Sequence, residues 1–269
     1  MAVFKNGIFI NYNGEIINPV NNIAASVAAN NFFQTASITN QQQRYAIYNL
    51  VNDLQTYNIW DKMKAVYPFV GGTSGSHKFN LKDIALHTIT WSGSVTHNSN
   101  GITGNGINAY GDTGLNENSA LTLNNSHISI YQRNILSDPS NVSMGAGTSG
   151  FSRFYLNYGG SNYSTLQGTS QAITAVVTPQ RGMFIMSRTN SSQFIRKQND
   201  LPVETLTNSA GSKNNSTFIL LANNQPAAPN EWSLANLAFA SIGDGLTDTE
   251  AANFYTAVQR FQTTLGRQV

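Results

Sequence analysis

The chain contains 269 residues, only 10% of them charged, and its formal net charge at pH 7 is +2. This near-neutral balance provides no strong attraction to nucleic acid or to an anionic membrane, so neither is expected as a partner. Cysteine is absent, which excludes disulfides and thiolate chemistry. No apolar run is long enough to span a membrane and no signal-peptide pattern opens the chain, so we expect a soluble protein.

The first elements predicted in chain order are short strands and then a helix. Asn6-Gly7 and Asn13-Gly14 each favour the positive φ angles of a type I′ turn, so the N-terminus is expected to form a small β arm. From residue 22 the pattern changes, and Ile23 and Val27 among alanines predict a short helix.

A second helix is predicted to follow, and it leads to the most distinctive stretch of the sequence. Thr39 with Gln42 resembles a capping box at the start of this helix. Pro68 and Gly71-Gly72 end the helical pattern, so residues 59–72 form a seam between helical and β sequence. The helical stripe consists of Ile47, Leu50, Val51 and Leu54, and the residues expected to pack at the seam are Trp60, Met63, Val66 and Tyr67.

After the seam the hydrophobic period falls to two, and β-branched and aromatic residues occur in short runs between Gly, Asn and Ser clusters. Because these runs follow one another without intervening helices, the predicted fold class is mainly β, an antiparallel jelly-roll β-sandwich. Thr247 with Glu250 forms a capping box for a closing amphipathic helix, which is expected to end near Gly266. The predicted strands are 87–95, 107–112, 126–133, 151–158, 172–178, 183–188, 193–197, 216–221 and 232–242.

No residue pattern in the chain indicates catalysis or a cofactor. The glutamates lack the spacing of sandwich-fold glycanases, and no G-x-S-x-G elbow is present. Residues 145–150 match G-x-G-x-x-G, but the alternating sequence after them indicates a loop before a strand and not a phosphate site. Strand-surface or loop positions are expected for the four single histidines, His77, His87, His97 and His127. We therefore expect no catalytic, cofactor-binding or metal-binding residues, and a protein that is not an enzyme.

Aromatic and basic residues are the remaining candidates for binding. Tyr155, Tyr158 and Tyr163 flank a Gly-Gly-Ser-Asn loop and could stack on sugar rings, although half of the side chains in any sandwich strand face the core. Trp232 follows Glu231, which places an indole beside a carboxylate. A basic set could line an acidic-glycan or partner surface, but solvated strand ends are the favoured interpretation for its members, Arg181, Arg188, Arg196 and Lys197.

Three segments of the β body resemble the laminin-G-like, concanavalin A-like jelly-roll family. They are residues 101–113 (GITGNGINAYGDT), 184–189 and 238–250. The likeness covers residues 68–269 and implies the same β-sandwich fold. Members of this family that bind calcium use acidic loop residues, for which Asp112 and Asp138 would be the candidates here, although no D-x-D loop accompanies them.

The seam at 60–72, together with residues 78–83, is similar to a group of bacteriophage virion proteins that place a helical segment ahead of such a jelly roll. This resemblance implies a location in the virion, as a tail-fibre, baseplate or capsid-decorating protein, and a role in adhesion. The partners it implies are other virion proteins, sister subunits in a self-oligomer, and a host-surface glycan.

These observations lead to a hypothesis with two sections. Residues 1–65 would form a hairpin and helical attachment section, and residues 66–269 the jelly roll with its C-terminal helix. The leading hypothesis is a non-enzymatic structural protein of the phage particle. One alternative is a carbohydrate-binding module that contacts host or mucosal glycans through Tyr155, Tyr158, Tyr163 and Trp232. The other alternative is a polysaccharide depolymerase with Glu231 as its carboxylate.

Overall fold

The structure is a computed structural model that describes residues 3–5, 8–10, 16–17, 23–136, 141–147, 152–175, 178–225 and 227–269. The helices in these residues are α1 (Ile23–Thr35), α2 (Gln41–Thr56), α3 (Ser74–His77), α4 (Glu117–Ala120) and α5 (Asp248–Thr264). The strands of the N-terminal half are β1 (Val3–Lys5), β2 (Ile8–Ile10), β3 (Ile16–Ile17), β4 (Met63–Tyr67), β5 (Thr90–Ser92), β6 (Thr96–Asn98), β7 (Gly101–Thr103), β8 (Tyr110–Asn116) and β9 (Ser126–Gln132). Those of the C-terminal half are β10 (Met144–Ala146), β11 (Ser152–Phe154), β12 (Ser161–Asn162), β13 (Thr174–Ala175), β14 (Gly182–Arg188), β15 (Gln193–Gln198), β16 (Glu204–Thr207), β17 (Thr217–Leu220), β18 (Asn223–Asn224) and β19 (Asn236–Gly243).

Two sheets face each other and form a β-sandwich, which confirms the predicted fold class. The larger sheet has eight strands in the order β16-β15-β14-β9-β19-β7-β6, with β4 also paired to β19. The smaller sheet has six strands in the order β11-β10-β17-β8-β5, with β18 also paired to β10. All of these pairs are antiparallel except β10 with β18.

A layer of helices covers the other face of the larger sheet, so this sheet is buried on both sides. The two faces of β9 show the arrangement: Ile128 and Ile130 point into the core between the sheets, whereas Tyr131 packs with the helices. Helices α1, α2 and α5 contribute most of that second core, in which Phe254 and Phe261 contact Phe239 of β19. The fold therefore has three layers, two sheets and one layer of helices. None of the described helices combines the length and hydrophobicity needed to span a membrane.

The seam connects the helical layer to the sandwich. Helix α2 ends at Thr56, one turn of 3₁₀ helix covers Trp60–Lys62, and β4 follows directly and pairs with β19. Trp60, Met63 and Val66 are buried with the helices, whereas Tyr67 lies in the core between the sheets. The predicted boundary between residues 65 and 66 therefore lies within β4, and the functional division into two sections stays a prediction.

The N-terminal arm contains the expected short strands. β1 and β2 are antiparallel, with Val3 opposite Ile10, and β3 pairs with β2. The turn residues Asn6-Gly7 and Asn13-Gly14 lie outside the described residues. The capping residue of α2 is Asn40, whose side chain accepts a hydrogen bond from the Gln43 N–H at 3.0 Å, so the expected cap at Thr39 is one residue too early.

Each of the nine predicted strand segments contains a strand, but several other strands were missed. Most of the missed strands have only two to five residues, which is too short to show a period of two. One is β10, which includes Gly145 and Ala146, so the expected loop at 145–150 is wrong for these two residues; residues 148–150 lie outside the described part of the chain. Glycine fits at position 145 because a Cβ there would lie 2.7 Å from Asn223 Oδ1 and 3.0 Å from Val142 Cγ1.

The capping box of α5 is present and carries the first testable prediction. Thr247 Oγ1 accepts from the Glu250 N–H at 3.3 Å, and Glu250 Oε2 accepts from the Thr247 N–H at 2.8 Å. Thr247→Ala is expected to lower the free energy of unfolding by about 1 kcal/mol, because the Glu250 N–H at the helix start loses its side-chain acceptor, which water replaces incompletely. Urea unfolding monitored by circular dichroism measures the difference.

Thr256→Ala is the matched control, since Thr256 is exposed in the middle of the same helix. Alanine favours helix more than threonine, so this variant is expected to unfold at the same or a slightly higher urea concentration. Equal destabilisation of the two variants would show that the capping box contributes nothing specific.

Candidate functional site

A tight hairpin turn on the edge of the smaller sheet carries the three tyrosines proposed as glycan contacts. The Tyr158 N–H donates to Ser161 O at 2.7 Å, and the Ser161 N–H donates to Tyr158 O at 3.0 Å. Gly159 and Gly160 occupy the two central positions with φ of 57° and 83°, a conformation that favours glycine. The hairpin is therefore held in one register by its own backbone.

The three tyrosine rings contact one another on this hairpin. The ring centroid of Tyr158 lies 5.2 Å from that of Tyr155 and 5.2 Å from that of Tyr163, the latter pair meeting edge to face. Tyr155 is only 6% exposed and forms the base of the cluster, whereas Tyr158 is 46% exposed. This cluster, Tyr155, Tyr158 and Tyr163, is called the tyrosine platform below. It presents an aromatic surface to solvent on a rigid support.

An ion pair lies beside the tyrosine platform. Arg153 is on β11, where it faces away from the core because its neighbour Phe154 points inward. Its guanidinium carbon is 5.2 Å from the centre of the Tyr155 ring, and its Nη1 lies 2.8 Å from Glu231 Oε2. Arg153 is 4% exposed, so this cation is almost fully desolvated and is neutralised by Glu231.

Trp232 belongs to a second aromatic group next to this ion pair. Its ring centroid lies 5.9 Å from that of Tyr110, the first residue of β8, and both side chains are partly exposed. We call Tyr110 and Trp232 the tryptophan platform. The four residues predicted from the sequence thus belong to two aromatic groups; Arg153 contacts Tyr155 of the first, and Glu231 directly precedes Trp232 of the second. Tyr110 and Arg153 were not predicted, although Tyr110 lies in a segment that carries the family resemblance.

The basic residues near two strands do not lie at solvated strand ends, so that expectation is wrong for three of them. Arg188 is fully buried and donates to the carbonyl oxygens of Leu166 and Asn208, both at 2.9 Å. Arg196 pairs with Glu204 at 2.5 Å and Lys197 donates to Leu201 O at 2.8 Å, and both are nearly buried. Only Arg181 of this set is exposed. The four therefore form no continuous basic surface.

Two of the histidines are buried, which corrects their expected surface positions. His127 lies under α5, with Nδ1 2.6 Å from Asp244 O and Nε2 3.1 Å from Ser241 Oγ. His77 accepts from the Gly72 N–H through Nε2, so its proton is on Nδ1, which lies 3.1 Å from Nδ1 of His97. Burial lowers the pKa of His127 to about 4 and that of His77 to about 3. Both rings are therefore neutral at pH 7.

The carboxylates considered for metal binding show no such site in the described residues. Asp112 accepts from the Gly114 N–H at 2.9 Å, and Asp138 lies outside the described residues. No group of three histidine, aspartate or glutamate side chains that could hold a metal ion occurs in the described ranges. Glu117 is fully buried and accepts from Ser152 Oγ and from the backbone and side-chain amides of Asn214; burial raises its pKa. It holds loops together and does not face solvent.

Comparisons with known proteins show the fold. No family model matches the sequence, and no curated protein matches it. The structure is similar to a mutant of Trypanosoma rangeli sialidase displaying trans-sialidase activity, with a TM-score of 0.50 and 9% identity over 80% of this chain and 39% of that chain. This chain thus spans about two fifths of the sialidase chain. The likeness, at this identity, shows a shared β-sandwich fold.

Two further structures are less similar. One is the enzymatically active domain of bacteriophage CBA120 tailspike protein 2, with a TM-score of 0.36 and 8% identity over 62% of this chain and 29% of that chain. The other is the SPRY domain of human HERC1, with a TM-score of 0.29 and 10% identity over 51% of this chain and 82% of that chain. Because the sialidase mutant is described as displaying trans-sialidase activity, the expectation of a non-enzymatic protein is contradicted.

Proposed function

We propose that this chain is a glycan-recognising β-sandwich carried on a bacteriophage particle, and that glycan binds across the tyrosine and tryptophan platforms. The observation that carries the glycan proposal is the exposed Tyr158 ring, held on a Gly-Gly hairpin and supported from below by Tyr155. A rigid aromatic ring with an apolar face and a polar hydroxyl suits a sugar, which has apolar C–H faces and hydroxyl edges.

The electrostatics of this surface favour a neutral ligand. Arg153 and Glu231 neutralise each other, so the ion pair leaves little net charge for an anionic sugar or a phosphate. The rest of the hairpin contributes hydroxyl and amide groups, including the partly exposed Ser161. A neutral polysaccharide would therefore fit this surface better than an acidic one.

The phage location is supported by the sequence resemblance at 60–72 and 78–83. In this proposal residues 1–65 attach the protein to other virion proteins or to sister subunits. Within the described residues, β1, β2 and β3 pair only with one another and with neither sheet of the sandwich, which suits an arm that a partner could bind. Analysis of purified particles by mass spectrometry, with and without residues 1–22, tests this attachment. Loss of the truncated protein from particles is expected, and normal incorporation would contradict it.

Tyr158→Ala is expected to weaken glycan binding about 10-fold, because the variant removes the exposed ring that would stack on the sugar. A glycan array of the purified protein identifies the ligand, and isothermal titration calorimetry measures the affinity. Tyr45→Ala is the control, since Tyr45 is a partly exposed tyrosine of α2 in the helical layer, and it is expected to bind like the unchanged protein.

The same samples are assayed for released reducing ends, which reports cleavage separately from binding. Absence of binding to all neutral glycans at millimolar concentration would overturn the proposed function. Equal affinity of the Tyr158→Ala variant and the unchanged protein would show that any binding occurs elsewhere.

A further inference from the structure

From the position of the Arg153–Glu231 ion pair we infer that the site takes an extended neutral glycan chain on both aromatic platforms, with this pair setting the position of one platform relative to the other. The inference rests on the proposed function and deepens it, because it specifies an oligosaccharide and names two positioning residues. Neither Arg153 nor Glu231 needs to contact the sugar in this arrangement.

The ion pair joins the chain segments that carry the two platforms. The guanidinium of Arg153 packs against Tyr155 at the base of the tyrosine platform, at 5.2 Å from the ring centre. Its partner Glu231 directly precedes Trp232 of the tryptophan platform. A change in the pair therefore acts on the segments of both aromatic groups.

The backbone on each side of the pair is fixed separately to the sandwich. Arg153 exchanges two backbone hydrogen bonds with Thr165, at 2.8 and 3.1 Å. The carbonyl oxygen of Glu231 accepts from the Val142 N–H at 3.0 Å. These bonds hold the backbone of the two segments, and the ion pair joins the side chains that cross between them.

The backbone of Glu231 shows that its position is specified by the surrounding structure. Its φ is 53°, a left-handed conformation that costs a non-glycine residue free energy and persists where neighbouring contacts hold it. The side chains of Arg153 and Glu231 are 5% and 24% exposed, so their attraction is only partly screened by water. Removing one partner of such a pair leaves the other charge buried without compensation, so the two side chains stay together.

Two separate platforms imply a ligand longer than one sugar. A single sugar ring covers one aromatic side chain, whereas Tyr158 and Trp232 belong to different ring clusters on different loops. A chain that reaches both platforms gains from linking two weak contacts, since the second contact forms at high effective concentration. Affinity should therefore rise with the length of the glycan.

Calorimetric titration with glucose and N-acetylglucosamine oligomers of increasing length, from the monosaccharide to the hexasaccharide, tests this inference. We expect the affinity of the unchanged protein to rise at least about 10-fold along a bound series. In Glu231→Gln, which keeps the size of the side chain and removes its charge, the rise is expected to fall below about 3-fold. Circular dichroism checks that the variant is folded.

Glu204→Gln is the matched control, because Glu204 forms the corresponding ion pair with Arg196 on the larger sheet at 2.5 Å. This variant is expected to keep the full dependence on chain length. If Glu231→Gln does not fold, Arg153→Lys takes its place, since lysine retains the charge but not the planar guanidinium.

The outcomes separate the inference from the proposed function. A flat affinity across a series that does bind, or an undiminished rise in Glu231→Gln, would overturn the two-platform inference and leave glycan binding in place. Failure of the unchanged protein to bind any neutral glycan on the array would overturn both. A rise that is lost in Glu231→Gln and kept in Glu204→Gln supports the inference.

Discussion

Replacing Arg267 by alanine is expected to lower the free energy of unfolding by about 3–5 kcal/mol, which is a large part of the stability of an ordinary domain. Arg267 is 2% exposed, and its guanidinium lies where the C-terminal helix, the larger sheet and the seam meet. Burial lowers its pKa to about 9, so the side chain remains protonated at pH 7 and needs acceptors for its N–H groups.

Backbone carbonyl groups supply most of those acceptors. Nη1 donates to Phe69 O at 2.8 Å, and Nη2 donates to Pro68 O at 3.1 Å and to Ala238 O at 3.0 Å. Nε donates to Gln262 Oε1 at 2.9 Å. The alanine variant would remove the Arg267 donors from these oxygens in a dry interior, where Ala238 O would keep the Gln262 Nε2 donor at 3.4 Å, and it would create a cavity. Phe69 itself has a φ of 43°, a strained conformation for a bulky residue that the Arg267 hydrogen bond helps to hold.

Equilibrium unfolding in urea measures this loss, and Arg181→Ala is the control because Arg181 is an exposed arginine at the start of a strand. The control is expected to change the free energy of unfolding by no more than about 0.5 kcal/mol. Arg267→Lys should fall between the two, since lysine keeps the charge but cannot donate to all four acceptors. An alanine variant as stable as the control would show that water replaces the guanidinium without cost.

Acidification from pH 6.5 to pH 5 is expected to lower the free energy of unfolding by about 2–4 kcal/mol, because His77 and His127 are buried in their neutral forms. Their folded-state pKa values, about 3 and about 4, lie below the usual value of 6.5. At pH values between the folded-state pKa and 6.5, each of these histidines is largely protonated in the unfolded chain and neutral in the folded chain. The stabilisation is therefore fully present above pH 6.5 and is lost as the pH falls toward 4.

The groups around each histidine determine how strongly it resists protonation. Burial is the main cause of the low pKa of His77, and the nearby His97 and Arg267 lower that pKa further. Burial also dominates for His127; Lys62 lowers its pKa, whereas the Asp244 carbonyl and carboxylate and the Glu250 carboxylate raise it without offsetting burial. Burial raises the pKa of two carboxyl groups, Asp53 and Glu117, and these reduce the net loss because they hold protons in the folded state.

Urea unfolding at pH 7, 6 and 5 tests this dependence, with His77→Asn and His127→Asn as variants. Each variant removes one titrating group and is expected to reduce the slope of stability against pH by about 1 kcal/mol per pH unit, whatever its stability at pH 7. His87→Asn is the control. His87 lies in a loop with a positive φ, which asparagine tolerates, and its backbone carbonyl, which the substitution keeps, accepts from the Tyr67 hydroxyl. Slopes that stay the same in both buried variants would contradict the assignment.

The features predicted correctly from the sequence are those determined by residues that lie close together along the chain. The capping box of α5 and the tyrosine hairpin are specified within a few residues, by Thr247 with Glu250 and by Gly159-Gly160. The long strands were predicted because their alternation of apolar and polar residues matches a pleated sheet. Tyr155, Tyr158 and Tyr163 were recognised as one aromatic group because they lie close together in the sequence, around the Gly159-Gly160 turn.

Burial of polar residues was not predicted, and the helical layer explains why. Alternation in β9 indicates one apolar face and one polar face, which in most antiparallel sandwiches would meet solvent. Here the polar face of β9 lies under α5, so His127 and Ser129 are fully buried and find partners across the sheet. Arg188 is also fully buried, on the face of β14 that carries Phe184 and Met186, and it donates to backbone carbonyls. These partners come from distant parts of the sequence, so local pattern could not identify them. The Arg153–Glu231 pair was missed for that reason too.

The position of β19 has a consequence for how the protein is made. This strand pairs with β4, β7 and β9, so residues near position 240 complete the hydrogen bonding of strands that begin as early as residue 63. Roughly 170 residues separate β4 from β19, which at ordinary translation rates corresponds to about 10–30 s during which the earlier strands have open edges on the ribosome. Open strand edges are templates for aggregation. Chains interrupted before residue 236 should therefore accumulate as insoluble material or require chaperones, and this prediction can be checked by fractionating a series of C-terminal truncations.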